Sequence, residues 1–553
     1  MNRIKTCVFF CCGCLAVNAS PAICAIRLTD VTAESGVAFR HTDGSSGQYY
    51  IVETVSAGLA LFDYDNDGRI DIYFLNGAPL KGTKSTRRPR NALYRNLGQW
   101  RFEDVTEASG LGDTGFGLGV AVGDYDNDGD ADVYLNNFGP NVLYRNNGDG
   151  TFTDVTETAG VDAGHQLGAG ACFLDIEGDG DLDLYVVNYL AFSYQAHEIS
   201  TLGGHRAYRA PIHHRPLPDM LYRNNGDGTF SDISATAGIA AHAGWGMGIV
   251  CADYDNDGDT DIFVGNDVAE NFLFRNNGSG VFTEIGMMAG TAYTADGNPG
   301  ASMGVDCGDY DNDGWLDFKV TSYQQELSTL YRNLQDDFFD DVTQQSGAGG
   351  GTLPMVTWGV GIIDFDNDMD RDLFIACGHL QDNVDHYDDV TSYHQRNILL
   401  RNDGRGGFTD VSDTGGTGLQ VKLSSRGAAF DDLDNDGDVD VVVLNSREAP
   451  TLLRNDSTSM GNWLQIRLQG KNSNRDGIGA RVTVTAGDLS LIDEVHSGRG
   501  YQSHYGTRLY FGLGDHTLVD RVEVRWIGGG KDIFSAVKTN QLLTLVEGSG
   551  QGN

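Results

Sequence analysis

Short stretches of alternating apolar and polar residues recur along most of the chain, separated by turns rich in Gly, Asn and Asp. A period of two is typical of β-strands with one buried face, and no long stretch has the 3.6-residue period of an amphipathic helix. One example is NALYRN (91–96), which a tight turn joins to RFEDVT (101–106). The pattern therefore predicts an all-β protein.

The strands recur in a fixed four-strand order. A Gly-rich apolar strand such as GFGLGVAVG (115–123) enters an aspartate-rich loop, and a β-branched or aromatic strand such as DVYLNN (132–137) leaves it. A third strand ends in Arg-Asn, as in NVLYRN (141–146), and a tight turn leads to a fourth strand, as in FTDVT (152–156). Such a unit has the size and turn chemistry of one four-stranded propeller blade.

The aspartate loops make the repeat unambiguous. Their starts lie between 51 and 78 residues apart, which is the spacing of propeller blades rather than of a helical solenoid. Numbered one to seven in chain order, the loops are DYDNDGRID (63–71), DYDNDGDAD (124–132), DIEGDGDLD (175–183), DYDNDGDTD (253–261), DYDNDGWLD (309–317), DFDNDMDRD (364–372) and DLDNDGDVD (432–440).

The two ends of the repeat region complement each other. No fourth strand follows Asn455, whereas RLTDVT (27–32) at the N-terminal end has the pattern of an isolated fourth strand. This offset predicts that the N-terminal strand completes the unit of residues 424–455, which would leave no open sheet edge. We therefore expect residues 26–456 to form a seven-bladed β-propeller closed by the N-terminal strand.

Acidic residues at positions one, three, five and nine of each loop predict a metal site. In loop two, Asp124, Asp126 and Asp128 can converge because the intervening residues point away, Gly129 allows the sharp turn, and Asp132 completes the cage. An anionic, all-oxygen, flexible cage favours Ca²⁺ over Mg²⁺. Asp, Asn and Gly also favour turns without any metal, but sevenfold repetition of one spacing favours the metal site.

We therefore expect up to seven Ca²⁺ ions, one in each loop. The predicted ligands are Asp63, Asp65, Asp67 and Asp71; Asp124, Asp126, Asp128 and Asp132; Asp175, Glu177, Asp179 and Asp183; Asp253, Asp255, Asp257 and Asp261; Asp309, Asp311, Asp313 and Asp317; Asp364, Asp366, Asp368 and Asp372; and Asp432, Asp434, Asp436 and Asp440.

Two loops depart from the pattern. Loop three has Glu177 at position three and Gly178 at position four, which changes the reach of the ligand but not its charge. Loop six has Met369 at position six, where a bulky side chain with positive φ is strained. We expect the site of loop six to be the weakest or the most distorted.

The net charge of the chain argues against some classes of binding partner. Its 38 basic and 78 acidic residues give a net charge of −40. Nucleic acids and anionic membranes would be repelled by such a chain, so neither is an expected partner. Cations are the natural partners.

The N-terminal 25 residues have the pattern of a secretory signal. Arg3 and Lys5 precede an apolar stretch, and Ala22 and Ala25 offer cleavage points. This stretch is too short to span a bilayer, and no later segment is continuously apolar, so we expect no membrane insertion and a secreted product, extracellular or periplasmic. The four cysteines beyond this segment, all expected to be small buried core residues without a metal, are Cys172, Cys251, Cys307 and Cys377.

The aspartate loops with their flanking strands resemble FG-GAP or VCBS repeats, which occur in integrin α-subunit propellers and many bacterial secreted proteins. Residues 461–548, which include SNRDGIGARV (473–482), have no aspartate loop and resemble the ASPIC/UnbV domain. A propeller followed by this domain is similar to the cartilage acidic protein group. The resemblance implies secretion and Ca²⁺ binding, and it implies no settled biochemical activity.

The C-terminal segment, read from its own residues, is a small β-sandwich-like unit. Its polar turn contains Arg475 and Asp476. A salt bridge or a capped turn explains this pair better than a ligand site does.

Two insertions exceed the blade pattern and predict a ligand site. Residues 189–219 add several His and Arg residues, and residues 378–396 add three more His. We expect both insertions to overhang one propeller face and to bind an anionic or polyhydroxylated ligand. The alternative, that these side chains only pack over the mouth of the channel, stays open. The predicted ligand-binding residues are His205, Arg206, Arg209, His213, His214, His379 and His386.

These features lead to two main functional hypotheses. The first is an extracellular binding or adhesion module for a glycan or a protein, held rigid by Ca²⁺. The alternative is a carbohydrate-active enzyme of the lyase or dehydratase type, with His, Tyr and Arg transferring protons in the site formed by the insertions. No nucleophile elbow, HExxH motif, P-loop or dinucleotide fingerprint is present, so no catalytic residue is predicted. A third, purely structural role predicts no pocket between the insertions.

Overall fold

The computed structural model describes residues 26–56, 58–84, 88–458 and 460–551. Strands make up 41% of the chain and helices 7%, so the predicted all-β class is confirmed. The predicted signal segment, residues 1–25, lies outside the described residues. None of the helices in the described ranges has the length and apolar character needed to cross a bilayer.

Each aspartate loop joins the first two strands of a four-stranded antiparallel unit. The units of loops two and three share one larger sheet, because Gln166 and Leu167 pair with Gly139 and Phe138. In order from loop one to loop seven, the strands are Leu59–Phe62, Asp71–Phe74, Ala92–Asn96 and Phe102–Asp104; Phe116–Gly123, Asp132–Gly139, Val142–Asn146 and Phe152–Asp154; Gln166–Leu174, Asp183–Ala191, Met220–Asn224 and Phe230–Asp232; Gly246–Ala252, Asp261–Asn266, Phe272–Asn276 and Phe282–Glu284; Val305–Gly308, Asp317–Val320, Thr329–Asn333 and Phe339–Asp341; Thr357–Ile363, Asp372–Cys377, Ile398–Asn402 and Phe408–Asp410; and Ser425–Asp431, Asp440–Asn445, Thr451–Asn455 and Leu28–Asp30.

The N-terminal strand Leu28–Asp30 is the fourth strand of the loop-seven unit. Leu28 lies opposite Asn455 and Asp30 lies opposite Leu453, so the two ends of the repeat region pair as the sequence predicts. The side chain of Leu28 is fully buried. This strand occupies an edge that Thr451–Asn455 would otherwise expose.

Neighbouring units contact one another through their first strands. Each first strand packs against the first strand of the next unit, and Ser425–Asp431 of the loop-seven unit packs against Leu59–Phe62 of the loop-one unit. Glycines permit this close approach: a Cβ atom on Gly119 would lie 1.9 Å from the carbonyl oxygen of Ala169 in the next unit. The Gly-rich pattern of the first strands therefore has a packing reason.

The Asn of every Arg-Asn pair adds a buried hydrogen bond to the preceding unit. Asn146 Nδ2 donates to the carbonyl of Tyr64 at 3.0 Å. Asn96 Nδ2 donates to the carbonyl of Leu433 at 2.8 Å, which joins the loop-one unit to the loop-seven unit. The corresponding bonds of the other units come from Asn224, Asn276, Asn333, Asn402 and Asn455.

Five one-turn α-helices, which the sequence pattern does not predict, follow fourth strands. Each ends at a glycine with positive φ, such as Gly110 after Thr106–Ser109. Asp104 Oδ1 accepts the Thr106 amide at 3.0 Å and starts that turn. Four residues are too few to show a helical period, which is why the sequence pattern misses these helices. The others are Thr32–Ser35, Thr156–Ala159, Gly286–Ala289 and Thr343–Ser346, and the 3₁₀ turns are Ile51–Glu53, Pro211–His213, Ile239–Ala241, Val384–His386 and Gly418–Gln420.

Residues 462–546 form two further sheets around one core. Side chains from both sheets, including Ile466, Phe511, Val484 and Val522, are buried together. This arrangement matches the small β-sandwich-like unit that the strand pattern predicts. One sheet contains Arg508–Gly514, Asn462–Gln469 and Leu542–Val546, and the other contains Leu489–Glu494, Arg481–Ala486, Leu518–Arg525 and Lys531–Lys538.

The C-terminal sheets cover the end of the repeat units that carries the aspartate loops. Gln465 Nε2 donates to Asp432 Oδ2 of loop seven at 2.7 Å. Asp476 Oδ2 accepts the backbone amide of Asp124 in loop two at 2.8 Å, and the Arg475 amide donates to Asn127 in the same loop. The Arg475–Asp476 turn is therefore a contact between the two parts of the chain.

Residues 495–507 extend from the C-terminal sheets between the first strands of the repeat units. The hydroxyl of Tyr501 donates to the carbonyl of Val55 at 2.8 Å, and that of Tyr505 donates to the carbonyl of Val360 at 2.9 Å. A Cβ atom on Gly58 would lie 1.8 Å from the carbonyl oxygen of Gln502. The segment therefore fills the space between the units.

The four described cysteines are free and buried. The Sγ atom of Cys307 lies 3.6 Å from Nε2 of His496 in the 495–507 segment. Burial raises the pKa of the Cys307 thiol well above its usual value. These cysteines therefore behave as the core residues that the sequence predicts.

Candidate functional site

Six of the seven aspartate loops share one pattern of internal hydrogen bonds. Loop four differs, because its Asp257 amide donates to Asp255 and its Tyr254 amide to the carbonyl of Ala252. In loop two, Asp124 accepts the amides of Asp128 at 2.9 Å and Gly129 at 2.7 Å. Asp132 accepts the amide of Tyr125 at 3.1 Å through Oδ2 and that of Asn146 at 2.8 Å through Oδ1. Position nine therefore connects the loop to the third strand of its unit.

Positions one, three and nine bring carboxylate oxygens together. In each group one oxygen from every residue lies within 4.8 Å of the others. Position five does not occur in the groups given below, and in loop two Asp128 Oδ1 accepts the amide of Asp130 at 3.0 Å. The groups include Asp63, Asp65 and Asp71; Asp124, Asp126 and Asp132; Asp253, Asp255 and Asp261; Asp309, Asp311 and Asp317; and Asp364, Asp366 and Asp372.

The residues present fit a hard cation. The Oδ1 atoms of Asp65, Asp311, Asp366 and Asp434, all at position three, are buried without a hydrogen-bond partner among the described residues. Carboxylate oxygens at this density, with one coordination direction free, match the ligands of Ca²⁺. Ca²⁺ would be held by positions one, three and nine and would keep these carboxylates ionised.

Without a bound cation, burying the ionised carboxylates of the loops would cost free energy. It raises the pKa of Asp71 and of Asp124 to about 8, and Asp476 adds to the shift at Asp124. Buried carboxyls with such pKa values are partly protonated near neutral pH. Removing a bound cation would therefore leave either buried charge or bound protons.

Loops three and six keep the loop conformation by different means. At position four, Asn has positive φ in six loops, and Gly178, with φ 68°, takes this role in loop three. Met369 adopts φ 85° at position six of loop six, which is the strained conformation that the sequence predicts. Asp364, Asp366 and Asp372 nevertheless converge as in the other loops.

Asparagines at position four also tie neighbouring loops together. Asn66 Nδ2 donates to the carbonyl of Gly129 in loop two at 3.3 Å. Asn435 Nδ2 donates to the carbonyl of Gly68 at 3.3 Å, which joins loop seven to loop one. No sequence pattern indicates these bonds, although the Asn at position four recurs visibly.

The two insertions meet at the end of the units opposite the aspartate loops. Both follow the second strand of their unit, which begins at a loop and runs away from it. The insertion 189–219 forms the hairpin Ser200–Leu202 and His205–Ala207 and adds Arg215–Pro218 to the sheet of loop three. Asn383 Nδ2 donates to the Arg206 carbonyl at 2.8 Å, and the rings of His205 and His386 stack at 5.4 Å.

The seven predicted ligand-binding residues do not form one constellation. His205, Arg206, His213 and His386 are exposed, and Arg206 has no ion pair among the described residues. Arg209 pairs with Glu198 at 3.0 Å.

The other two histidines pack rather than face solvent. His214 is half-buried and its ring lies 6.5 Å from that of Phe192. His379 is 1% exposed, accepts the Gln381 amide at 2.9 Å and lies 3.5 Å from the Tyr323 hydroxyl. His379 is therefore a structural residue, and burial lowers its pKa to about 4.

A basic loop of the loop-one unit lies beside the insertion 189–219. Lys81, Lys84, Arg88 and Arg90 are exposed there, and the backbone of Lys81 bonds to the Tyr194 hydroxyl. The stretch KGTKSTRRPR (81–90) was a visible signal, because it concentrates positive charge in an acidic chain. We call Lys81, Lys84, Arg88, Arg90, His205 and Arg206 the basic surface.

Similar proteins include cartilage acidic protein 1. The human protein (Homo sapiens) is 24% identical over 356 residues, covering 61% of this chain and 50% of that protein. The mouse protein (Mus musculus) is 27% identical over 352 residues, covering 61% and 51%. This chain thus spans about half the length of the curated relatives that it matches.

The solved structures that this chain resembles are more distant. An Agrocybe aegerita lectin that recognises non-reducing terminal N-acetylglucosamine has a TM-score of 0.36 at 20% identity, covering 64% of this chain and 79% of the lectin chain. A rhamnogalacturonan lyase from Bacillus licheniformis has a TM-score of 0.37 at 12% identity, covering 78% and 75%. Because both TM-scores are below 0.5, we assign the fold from the sheets described above and not from these structures.

Family models match both parts of the chain. The FG-GAP-like repeat matches residues 63–135, 130–186, 218–264, 253–320 and 364–443, which together exceed half of the chain. The model described as ASPIC and UnbV matches residues 470–552. The chain therefore belongs to the family of proteins built from FG-GAP-like repeats, and it carries a C-terminal ASPIC/UnbV domain.

Proposed function

We propose that the protein is a secreted, calcium-stabilised binding module that recognises an acidic extracellular glycan at its basic surface. Its residues 26–456 act as a closed seven-bladed propeller, and residues 461–548 act as a separate domain docked on the loop end. Residues 1–25 direct export.

Contacts between the first and last units support closure of the propeller. Leu28–Asp30 pairs with Thr451–Asn455, and Ser425–Asp431 packs against Leu59–Phe62. The Asn96–Leu433 and Asn435–Gly68 hydrogen bonds repeat between these two units the bonds that join other neighbours. These are contacts of the kind expected where the first and last units of a closed ring meet.

Converging carboxylates support the calcium role. Positions one, three and nine of the loops supply oxygens within 4.8 Å of one another, and several of these oxygens are buried without a partner. Ca²⁺ accepts six to eight oxygen ligands, so backbone carbonyls or water would complete each site.

The basic surface is the main support for glycan binding. Lys81, Lys84, Arg88 and Arg206 are exposed at the end of the units that the C-terminal domain leaves free. In a chain of net charge −40 such a concentration of cations would attract carboxylate or sulfate groups. His205, which belongs to this surface, stacks on His386 of the other insertion.

A glycan titration tests this role. Calorimetry with a sulfated galactan, a polyuronate and a neutral glucan, each in the presence of Ca²⁺, should detect binding of the acidic polymers alone. Replacing Lys84, Arg88 and Arg206 together by Ser should weaken this binding at least tenfold. Raising the salt concentration should weaken it as well, because exposed charges are screened.

Arg405→Ser is the matched control, since Arg405 is an exposed arginine in the turn Asn402–Phe408 at the opposite end of the units. Equal binding of the neutral glucan, or unchanged binding by the triple variant, would contradict the proposal. The lyase or dehydratase alternative stays a prediction, and unsaturated products released from the same polymers would favour it.

A further inference from the structure

A cavity of about 330 Å³ lies beneath the insertion 189–219, on the side away from the aspartate loops. Its lining includes Met247 and Trp358, which belong to first strands, and Met303, which lies two residues before the first strand of a third unit. The hairpin residues Thr201 and Leu202, both exposed, lie at its rim. Its volume is at the lower end of small-molecule pockets, which hold about 300 to 1,000 Å³.

The cavity combines aromatic rings with two carboxylates. Tyr189, Tyr208, Tyr323 and Trp358 line it, together with Asp267 and Glu326. Asp267 and Glu326 are only partly accessible, as expected for side chains that face an enclosed space. Such a lining differs from the basic surface outside it.

Neither carboxylate has an ion pair among the described residues. Asp267 Oδ2 accepts the Tyr189 hydroxyl at 2.6 Å, and Glu326 Oε2 accepts the Ala301 amide at 2.9 Å. Burial raises the pKa of both side chains, that of Asp267 to about 7, and the charge of Glu326 adds to the shift at Asp267. Two enclosed carboxyls of like charge lack a compensating cation.

The arginines near the cavity interact with groups other than these two carboxylates. Arg209 lines the cavity but pairs with Glu198 at 3.0 Å. Arg426 lies 4.2 Å from the Trp358 ring and donates to backbone carbonyls, including that of Ser425 at 2.8 Å. No arginine of the described chain therefore neutralises Asp267 or Glu326.

We propose that this cavity binds a small organic ammonium ion, with its positive charge held by Asp267 and Glu326 and its apolar body against the aromatic side chains. Aromatic faces attract ammonium groups, and the methionine side chains adapt to an apolar body. An inorganic cation fits poorly, because Ca²⁺ and Mg²⁺ need a tight shell of oxygens rather than a wide aromatic space. The site is separate from the proposed glycan surface and from the aspartate loops.

Calorimetry with choline and with 3,3-dimethylbutan-1-ol, its uncharged isostere, tests the proposal on the full chain in Ca²⁺. Choline should bind, and the isostere should bind at least tenfold more weakly because it lacks the charge. Asp267→Asn and Glu326→Gln should each weaken choline binding at least tenfold. Both changes keep the size of the side chain and its capacity to accept the observed hydrogen bonds.

Glu270→Gln is the matched control, because Glu270 is an exposed acid of the loop that carries Asp267 and does not line the cavity. It should bind choline as the unchanged protein does. Thermal unfolding of each variant separates loss of the site from loss of the fold, and Glu326→Gln keeps the test decisive if Asp267→Asn unfolds.

Absence of choline binding, equal binding of the isostere, or unchanged binding by both folded carboxylate variants would overturn the proposal. Titration of the same variants with the sulfated galactan reports on the basic surface independently. A failed choline site with intact glycan binding, or the reverse, therefore identifies which of the two proposals is wrong.

Discussion

Arg499 and Asp306 form an ion pair in the interior, with Nη2 and Oδ1 2.5 Å apart and side chains 6% and 0% exposed. Arg499 Nη2 also donates to the Cys307 carbonyl at 2.9 Å, and Asp306 Oδ2 accepts the Ile362 amide at 2.8 Å. The pair thus joins the 495–507 segment of the C-terminal part to the first strands of two repeat units.

Removing one partner of this ion pair should destabilise the protein. Arg499→Met leaves the Asp306 carboxylate buried and unpaired, so we expect the free energy of unfolding to fall by about 3 to 5 kcal/mol. Denaturant unfolding in excess Ca²⁺ measures the change. Arg499→Met combined with Asp306→Asn should lose less than Arg499→Met alone, and an equal or larger loss in the double variant would show that the charge is not the cause.

Calcium should stabilise the fold through the aspartate loops. At a free concentration 100 times its Kd, each site adds about 2.7 kcal/mol, so a chelator should lower the Tm. Asp126→Asn should remove one equivalent of bound Ca²⁺ in a calorimetric titration. Asp149→Asn is the control, because the exposed Asp149 only accepts the Thr151 amide and hydroxyl in a hairpin turn. An unchanged Tm after chelation would refute the structural role of Ca²⁺.

Substitutions at position six should have opposite effects on stability in loop six and in loop two, because only loop six has a strained non-glycine residue there. Met369 has φ 85° and Gly129 has φ 101°. A non-glycine residue in this region costs about 1 to 3 kcal/mol, so Gly129→Met should destabilise the protein by this order. Met369→Gly should be neutral or stabilising by about 1 kcal/mol, less any packing lost where Met369 contacts Gly514. Thermal unfolding in excess Ca²⁺ measures both, and destabilisation by both changes would contradict the strain argument.

Asp219 should make stability depend on pH. Its buried carboxyl accepts the Asn188 amide at 2.8 Å and the Tyr185 hydroxyl at 2.9 Å, and burial raises its pKa from 3.8 to about 7. A raised folded-state pKa stabilises the fold below pH 4, and this contribution is lost as pH rises towards 7. The loss is up to about 4 kcal/mol.

Asp219→Asn should therefore flatten this part of the stability curve and stabilise the protein at pH 7. Asn91 and Asn141 occupy the corresponding position in the units of loops one and two, where each accepts a backbone amide and donates to a tyrosine hydroxyl. Urea unfolding from pH 4 to 7 in excess Ca²⁺ measures the difference. A constant difference across this range would mean that Asp219 does not titrate as described.

The repeat architecture was predictable because its signals are local. Seven loops with one spacing, and an isolated fourth strand at residues 27–32, are visible in short stretches of sequence. The one-turn helices were missed because four residues show no period. The buried asparagines of the Arg-Asn pairs recur visibly, but their partner is a backbone carbonyl of another unit, which no sequence pattern reports.

The candidate sites were less predictable because their residues are distant in sequence. The stretch GRGYQSH (498–504) belongs to the C-terminal segment, and nothing in it indicates that Tyr501 reaches Val55. Asp267 and Glu326 occur in short connections between strands and lack the concentration of His and Arg that marks the insertions. Conversely, His379 belongs to such a concentration and is buried.

The pairing of Leu28–Asp30 with Thr451–Asn455 can form only late in biosynthesis, because the two strands lie at opposite ends of the repeat region. At about 5 to 20 residues per second, the ribosome makes the second partner roughly 20 to 80 seconds after the first. Residues 495–507, which occupy the space between the units, emerge later still. The nascent chain must therefore wait, with its first strand unmatched and its centre unfilled, until translation is nearly finished. Such late assembly is compatible with the export that we propose, since an exported chain crosses the membrane before it folds.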